Sequence, residues 1–370
     1  MQSKTVFFTG FPGFIGTRIV EKLIVENDTI KIYALVLKSV LKSTNEILER
    51  NAHLKKKIEL IVGDVSKPNL DLSTDLYTKL TNETTEIFHL AAIYNLEVPK
   101  NVAWKVNVIG TNNMLKFALK CLNLSVFIFF SSIVAVGKVK GDVFEDKLET
   151  NCEFHFNHYE QTKFASEILI RKYMDRLPII IIRPGAVVGE SKTGITDKFD
   201  GFYYALSFAS ILKLFPIWLP HTHFNVPMVP VDYIAEATCY VSTQEDCIGH
   251  CFHLGEFELT ANQFLAYICD KDETGTKIRI PSALLEFLIK LPVFKYIFLR
   301  NRFIKFIMKK GFQMPPELLE AADSYNFCLY RTDNRKFLER AGIFCPKFKT
   351  YVKNIMAFYN KNRKNPLLLR

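Results

Sequence analysis

No C-x-x-C pair occurs among the eight cysteines (Cys121, Cys152, Cys239, Cys247, Cys251, Cys269, Cys328 and Cys345), so neither a zinc ribbon nor a dithiol redox motif is expected. The densest cluster, Cys247-Ile248-Gly249-His250-Cys251-Phe252-His253, fits no common zinc spacing, and alternation on a buried strand accounts for it, so no metal is expected. No secretory leader precedes the first strand-like run, which points to a reducing cytoplasmic setting with free thiols. The sequons at Asn27, Asn82 and Asn123 would then carry no sugar. Internal repeats and low-complexity linkers are missing, which excludes solenoids. A membrane-length apolar run is missing too: residues 203–220 are apolar except Lys213, but they reach only about 18 residues with Pro216 inside, which reads as a core or pocket helix.

What is present is a 370-residue chain, 49% apolar, enough for one large α/β domain or two closely joined ones. Its net charge of +10 asks for an anionic partner, but no nucleic-acid recognition motif accompanies it, so nucleic acid is not expected. The excess is concentrated in residues 281–312, where seven Lys/Arg face one acid, Glu286. There Phe303, Ile304, Ile307 and Met308 recur at helical spacing, with Arg302, Lys305 and Lys309 free to take another face. Such a helix suits peripheral contact with an anionic membrane from the cytoplasmic side; a lobe helix with solvated cations explains it equally well.

The first half alternates short β-branched runs with helical patterns, the signature of βαβ units and a parallel sheet. Strands are expected at Thr5–Thr9, Lys31–Leu37, Ile58–Val62, Glu86–Leu90, Val126–Ser131 and Ile179–Arg183, with a first helix over Phe14–Glu26. After Arg183-Pro184-Gly185 the alternation gives way to aromatic, proline-containing segments. A helix from near Asp232 to Ser242 and a strand at Gly249–Leu254 resume the pattern. The expectation is an α/β, Rossmann-type doubly wound parallel sheet with a smaller, interleaved C-terminal substrate lobe. Residues 1–190, completed by about 229–256, would form the nucleotide domain; 191–228 and 257–370 would form the lobe.

The first strand runs into Gly10-Phe11-Pro12-Gly13-Phe14-Ile15-Gly16 and then a helix, the context of a dinucleotide fingerprint. Glycine lets the backbone approach a pyrophosphate, whose charge then rests on free N–H groups at the helix start. The whole loop, Gly10, Pro12, Gly13, Phe14, Ile15 and Gly16, is therefore a candidate cofactor site. The second strand ends Val36-Leu37-Lys38, with a cation where an acid would hold a ribose diol, which favours NADP (NADPH) over NAD.

His158-Tyr159-Glu160-Gln161-Thr162-Lys163 opens a second helix, placing Tyr159 and Lys163 on one face. An ammonium beside a phenol favours the phenolate, so Tyr159 can pass a proton to a developing alkoxide. Upstream, the strand Phe127-Ile128-Phe129-Phe130 ends at Ser131-Ser132, at the sheet edge where ligands of open α/β folds bind, and Ser132 can hydrogen-bond a substrate oxygen.

Thr9-Gly10-x-x-Gly13-x-x-Gly16, Gly63-Asp64-Val65, His89-Leu90-Ala91-Ala92, Asn107-Val108-x-Gly110-Thr111, Ser131-Ser132, Tyr159-x-x-x-Lys163 and Arg183-Pro184-Gly185 occur in the order that resembles extended short-chain dehydrogenases/reductases. The resemblance implies that Asp64 and Val65 flank the adenine, that Ala91 and Ala92 line the cofactor, and that Lys163 also holds the nicotinamide ribose. It implies Ser132 as the catalytic serine, and a second copy of the chain as a partner, since extended members are often dimers. Val188-Gly189-Glu190-Ser191-Lys192-Thr193-Gly194, Asp197-Lys198-Phe199-Asp200-Gly201 and Val229-Pro230-Val231-Asp232-Tyr233 are similar to the thioester-reductase branch, most of all to the N-terminal reductase domain of bacterial fatty acyl-CoA reductases. That implies NADPH-dependent reduction of an acyl-CoA or acyl carrier protein thioester to an aldehyde or alcohol. A ketone, hydroxysteroid or flavonol-like reductase, a nucleotide-sugar epimerase and an NADP-sensing protein without turnover share the same fold and remain open.

Overall fold

The computed structural model describes residues 4–94, 98–137, 139, 141–148, 158–203, 206, 217–218, 225–269, 278–279 and 328–368. The basic run 281–312 and most of the apolar run 203–220 lie outside the described residues.

The strands, in chain order, are β1 (Thr5–Thr9), β2 (Lys31–Val36), β3 (Ile58–Val62), β4 (Glu86–His89), β5 (Val126–Phe130), β6 (Gly141–Val143), β7 (Ile179–Pro184), β8 (Ala186–Val188), β9 (Ile217–Trp218), β10 (Met228–Pro230), β11 (Cys251–Leu254), β12 (Ile278–Arg279) and β13 (Cys328–Tyr330). Seven of them form one parallel sheet in the order β11-β7-β5-β4-β1-β2-β3. The chain builds outward from β1 to β3, then returns to place β4 on the other side of β1. That reversal opens a crevice between β1 and β4 at the carboxyl edge of the sheet, where open α/β folds bind ligands.

The central strands read as unbroken apolar runs because both faces are covered. Val126–Phe130 is buried at every position, as is Ile179–Pro184. One face packs on α1 (Phe14–Glu26) and the helix Val231–Ser242, through Ile19, Val20 and Leu23 against Ile234, Ala237 and Val241. The other face receives Met114, Leu115 and Phe117 and, further along, Ile170. The helices in between are α2 (Leu41–Arg50), α3 (Ala52–Lys55), α4 (Thr74–Glu83), α5 (Lys100–Trp104), α6 (Gly110–Ala118) and α7 (His158–Arg171), with a π-helical turn over Lys105–Ile109 joining α5 to α6.

β1, β3 and α1 have the bounds that the pattern predicts, and the other expected strands agree to within a residue or two. β11 starts at Cys251 instead of Gly249, because Gly249 has a φ of +87°, outside the extended region. A third apolar cluster, separate from the two on the sheet faces, joins Phe199, Phe202 and Tyr203 to Phe264, Phe348, Tyr351 and Ile355. Its rings meet mostly edge to face, as between Phe202 and Phe348 at 5.7 Å and 85°. Among the described residues, no helix is long and apolar enough to cross a membrane.

Candidate functional site

The loop between β1 and α1 carries Gly10, Pro12, Gly13, Phe14, Ile15 and Gly16. Gly10 has a φ of +98°, and a Cβ there would lie 2.8 Å from Leu90 Cβ and 3.0 Å from the Ala91 nitrogen. Only glycine lets this turn close against the loop that follows β4. Gly13 N donates to the Gly10 carbonyl at 2.8 Å, and a Cβ on Gly16 would stand 2.6 Å from that same oxygen. Gly13 caps α1 without a side-chain bond, and no acid lies in the first turn. The helix thus presents uncapped N–H groups, with no carboxylate to repel an anion. These residues fit a dinucleotide pyrophosphate.

The other expected cofactor residues follow the carboxyl ends of neighbouring strands. Lys38 is exposed, two residues past β2. Asp64 follows β3; its carboxylate accepts from Ser66 N at 2.8 Å and shapes the turn, while buried Val65 is held through its carbonyl by Asn113 Nδ2 at 2.8 Å. Ala91 and Ala92 follow β4 half-buried, and Ala91 N donates to Thr9 Oγ1 at 3.2 Å.

Ser132 lies two residues past β5 and caps the 3-10 turn Ile133–Val136, its Oγ accepting from Val134 N at 3.4 Å. That turn packs on α7, whose first and second turns carry Tyr159 and Lys163. Tyr159 is half-buried and its carbonyl accepts from Thr162 Oγ1 at 2.9 Å. Lys163 is buried and its Nζ donates to the Phe130 carbonyl at 2.7 Å. Burial lowers its ammonium to about 8, against the opposing pull of Glu167. At neutral pH it therefore keeps its proton.

Sequence reasoning quoted His89 and Asn107 inside motifs without giving them work. His89 bridges Thr9 Oγ1 (2.8 Å) and Thr111 Oγ1 (3.2 Å), tying β1, β4 and α6 together beneath the crevice. Asn107, in the π-helical turn, exchanges bonds with the backbone of Ile93 (2.8 and 3.0 Å) and donates to Thr162 on α7 at 2.9 Å. The signal for it was its place in Asn107-Val108-x-Gly110-Thr111. His253 was expected on a buried strand, and there its ring meets Arg183 Nη1 at 3.1 Å and the Arg331 carbonyl at 2.8 Å.

Burial, reinforced by the charge of Lys163, pushes His89 from its ordinary 6.5 down to about 3; burial does the same to His253. Unfolded, each imidazole takes up a proton below pH 6.5, whereas folded it does so only near 3. Each therefore contributes stability that is complete above pH 6.5 and is lost on acidification, by about 1.4 kcal/mol per pH unit. Glu145, raised to about 7 chiefly by burial, acts in the opposite sense between its ordinary 4.5 and 7. Substituting His89→Gln keeps a donor and an acceptor between the two threonines, so urea unfolding should show a loss from pH 7 to pH 5 smaller by about 2 kcal/mol than in the wild type.

Residues 8–238 match the family described as Male sterility protein, an NAD-binding family. The chain belongs to this family. That is the extended short-chain dehydrogenase/reductase family which the sequence resembles. Among curated relatives, this chain is 26% identical over 274 residues to an aldehyde reductase, lnbA, of Aspergillus flavus, a match covering 67% of this chain and 26% of that protein. It spans about a quarter of the length of the curated relatives that match it first. The terminal R domain from the myxalamid PKS-NRPS biosynthetic pathway shares its fold with a TM-score of 0.77 at 23% identity, over 98% of this chain and 92% of that one. A thiolation-reductase di-domain from an archaeal non-ribosomal peptide synthetase gives a TM-score of 0.72 at 19% identity, over 98% of this chain and 76% of the di-domain.

Proposed function

We propose that this protein is an NADPH-dependent reductase of fatty acyl thioesters, carried on coenzyme A or on an acyl carrier protein, giving a fatty aldehyde or alcohol. The observation that carries the reading is Lys163: a buried ammonium one helical turn from Tyr159, bonded to the last residue of β5, two residues before Ser132. Such a set would offer a proton donor, a cation and a second hydroxyl at the edge of the crevice that the glycine loop serves. Family membership supports a thioester, and a carrier domain adjoins the reductase in the archaeal di-domain. A net charge of +10 suits the phosphates of coenzyme A or an acidic carrier.

The glycine loop and the N-terminus of α1 would hold the pyrophosphate, Lys38 the 2′-phosphate, Asp64, Val65, Ala91 and Ala92 the adenine and nicotinamide sides. Bound NADPH supplies the hydride. The hydroxyls of Tyr159 and Ser132 then meet the negative charge that builds on the thioester oxygen. Tyr159 passes its proton to that oxygen, and the Lys163 ammonium favours the phenolate left behind. Collapse of the tetrahedral adduct passes its hydroxyl proton to the departing sulfur, expels the thiol and leaves an aldehyde; water returns the proton of Tyr159, and a second NADPH would be needed to take the aldehyde to an alcohol.

With palmitoyl-CoA, NADPH should be oxidised much faster than NADH. Substituting Lys38→Glu should raise KM for NADPH by about tenfold or more, since one phosphate contact made by a charged group is worth about 1.5–3 kcal/mol. KM for NADH should not rise. Oxidation independent of palmitoyl-CoA, or an unchanged KM for NADPH, would contradict the substrate and the cofactor assignment respectively.

A further inference from the structure

Glu167 takes no part in the chemistry above, yet it is fully buried among charges. It follows Lys163 by four residues on α7 and shares its face. Its Oε2 accepts from Ser131 Oγ at 2.6 Å and from Arg183 Nε at 3.0 Å; its Oε1 accepts from Arg171 Nε at 2.9 Å and from Arg183 Nη2. Neither the Glu167 nor the Arg183 side chain has any exposed surface. Lys163 meanwhile holds the Phe130 carbonyl. Two side chains one turn apart on α7 thus grip consecutive residues of one strand end, Phe130 and Ser131, and the next residue is Ser132. A buried ion pair of this kind stabilises a fold weakly, because desolvation offsets most of the attraction, so mere stability is a poor account of it.

We propose that Glu167 is a positioning residue for the Ser132, Tyr159 and Lys163 set, holding the end of β5 against α7 and placing one fixed negative charge a helical turn from Lys163. The inference rests on the reductase reading of that set. Other titratable groups facing these two side chains are His89 on β4, Arg183 on β7, Cys251 and His253 on β11, and Arg171 on α7. Without Glu167, Arg171 and Arg183 face Lys163 uncompensated, and its proton leaves at lower pH. Without Arg171, the carboxylate is less neutralised, and the proton leaves at higher pH.

The test follows Lys163 directly, by the 15N chemical shift of its Nζ across pH, beside the alkaline limb of kcat/KM. In Glu167→Gln both midpoints should move down by about one pH unit, tenfold in proton concentration; in Arg171→Gln both should move up, by less. Unmoved midpoints, or shifts of the same sign in the two variants, would overturn the proposal. Should Glu167→Gln fail to fold, Arg171→Gln carries the test alone, since that guanidinium is partly exposed, and an unmoved midpoint there overturns it. Opposite shifts of the Nζ midpoint in a protein that turns over no thioester would keep the positioning role and remove the substrate assignment.

Discussion

Substituting Tyr159→Phe should lower kcat with a fatty acyl thioester by about a hundred- to ten-thousand-fold, the range for loss of a positioned proton donor. NADPH affinity should be kept. The change removes one hydroxyl and nothing else: the ring stays half-buried, and the Tyr159 carbonyl still accepts from Thr162 Oγ1 at 2.9 Å, so the start of α7 keeps its shape. The thioester oxygen is then left with the Ser132 hydroxyl alone, and no group beside Lys163 delivers a proton to it. Single-turnover rates and NADPH fluorescence titration separate the two effects. A variant as active as the wild type would remove Tyr159 from the chemistry.

Substituting Gly16→Ala should weaken NADPH binding by at least about a hundredfold, roughly 2.7 kcal/mol. The added Cβ would stand 2.6 Å from the Gly10 carbonyl oxygen and 3.2 Å from its carbon, and both are backbone that cannot swing aside. Gly10 is itself pinned, with a Cβ position 2.8 Å from Leu90 Cβ, so the loop relaxes only by lifting away from the start of α1. The uncapped N–H groups then lose their alignment with a pyrophosphate. The sheet should survive, since β1 stays paired with β2 and β4; circular dichroism checks this beside the titration. Unchanged affinity would mean that the dinucleotide does not sit on this loop.

Much of the parallel sheet is legible in the sequence because strands covered on both faces show as continuous apolar runs, and because each ends in a short polar or glycine-containing turn. The glycine loop is legible for the same local reason, as a strand, a tight turn and a helix in one stretch of chain. Lys163 and Tyr159 need only helical spacing to be paired. Ser132 needed more: the strand end put it at the carboxyl edge of the sheet, and the packing of the 3-10 turn after β5 on α7 is a tertiary contact that no local pattern shows.

The Glu167 network was not legible, since Ser131 follows β5, Glu167 lies on α7 and Arg183 on β7, and no local pattern links them. One signal was available: Glu167 repeats the four-residue step from Lys163. Arg183 stood in a quoted motif, but a fully buried guanidinium cannot be told from an exposed one by sequence. The third apolar cluster lacks a sequence period because Phe202, Phe264 and Phe348 meet across three separate segments, each too short to show one.

The central claim is hydride transfer to an acyl thioester, and the most direct measurement supplies palmitoyl-CoA with NADPH deuterated at the transferable position. The account predicts one free thiol per NADPH oxidised when the product is the aldehyde, or one per two NADPH when it is the alcohol, with deuterium on the former carbonyl carbon, both formed about a hundred- to ten-thousand-fold more slowly in Tyr159→Phe. Deuterium delivered instead to a ketone, with no thiol released from any thioester, would contradict it.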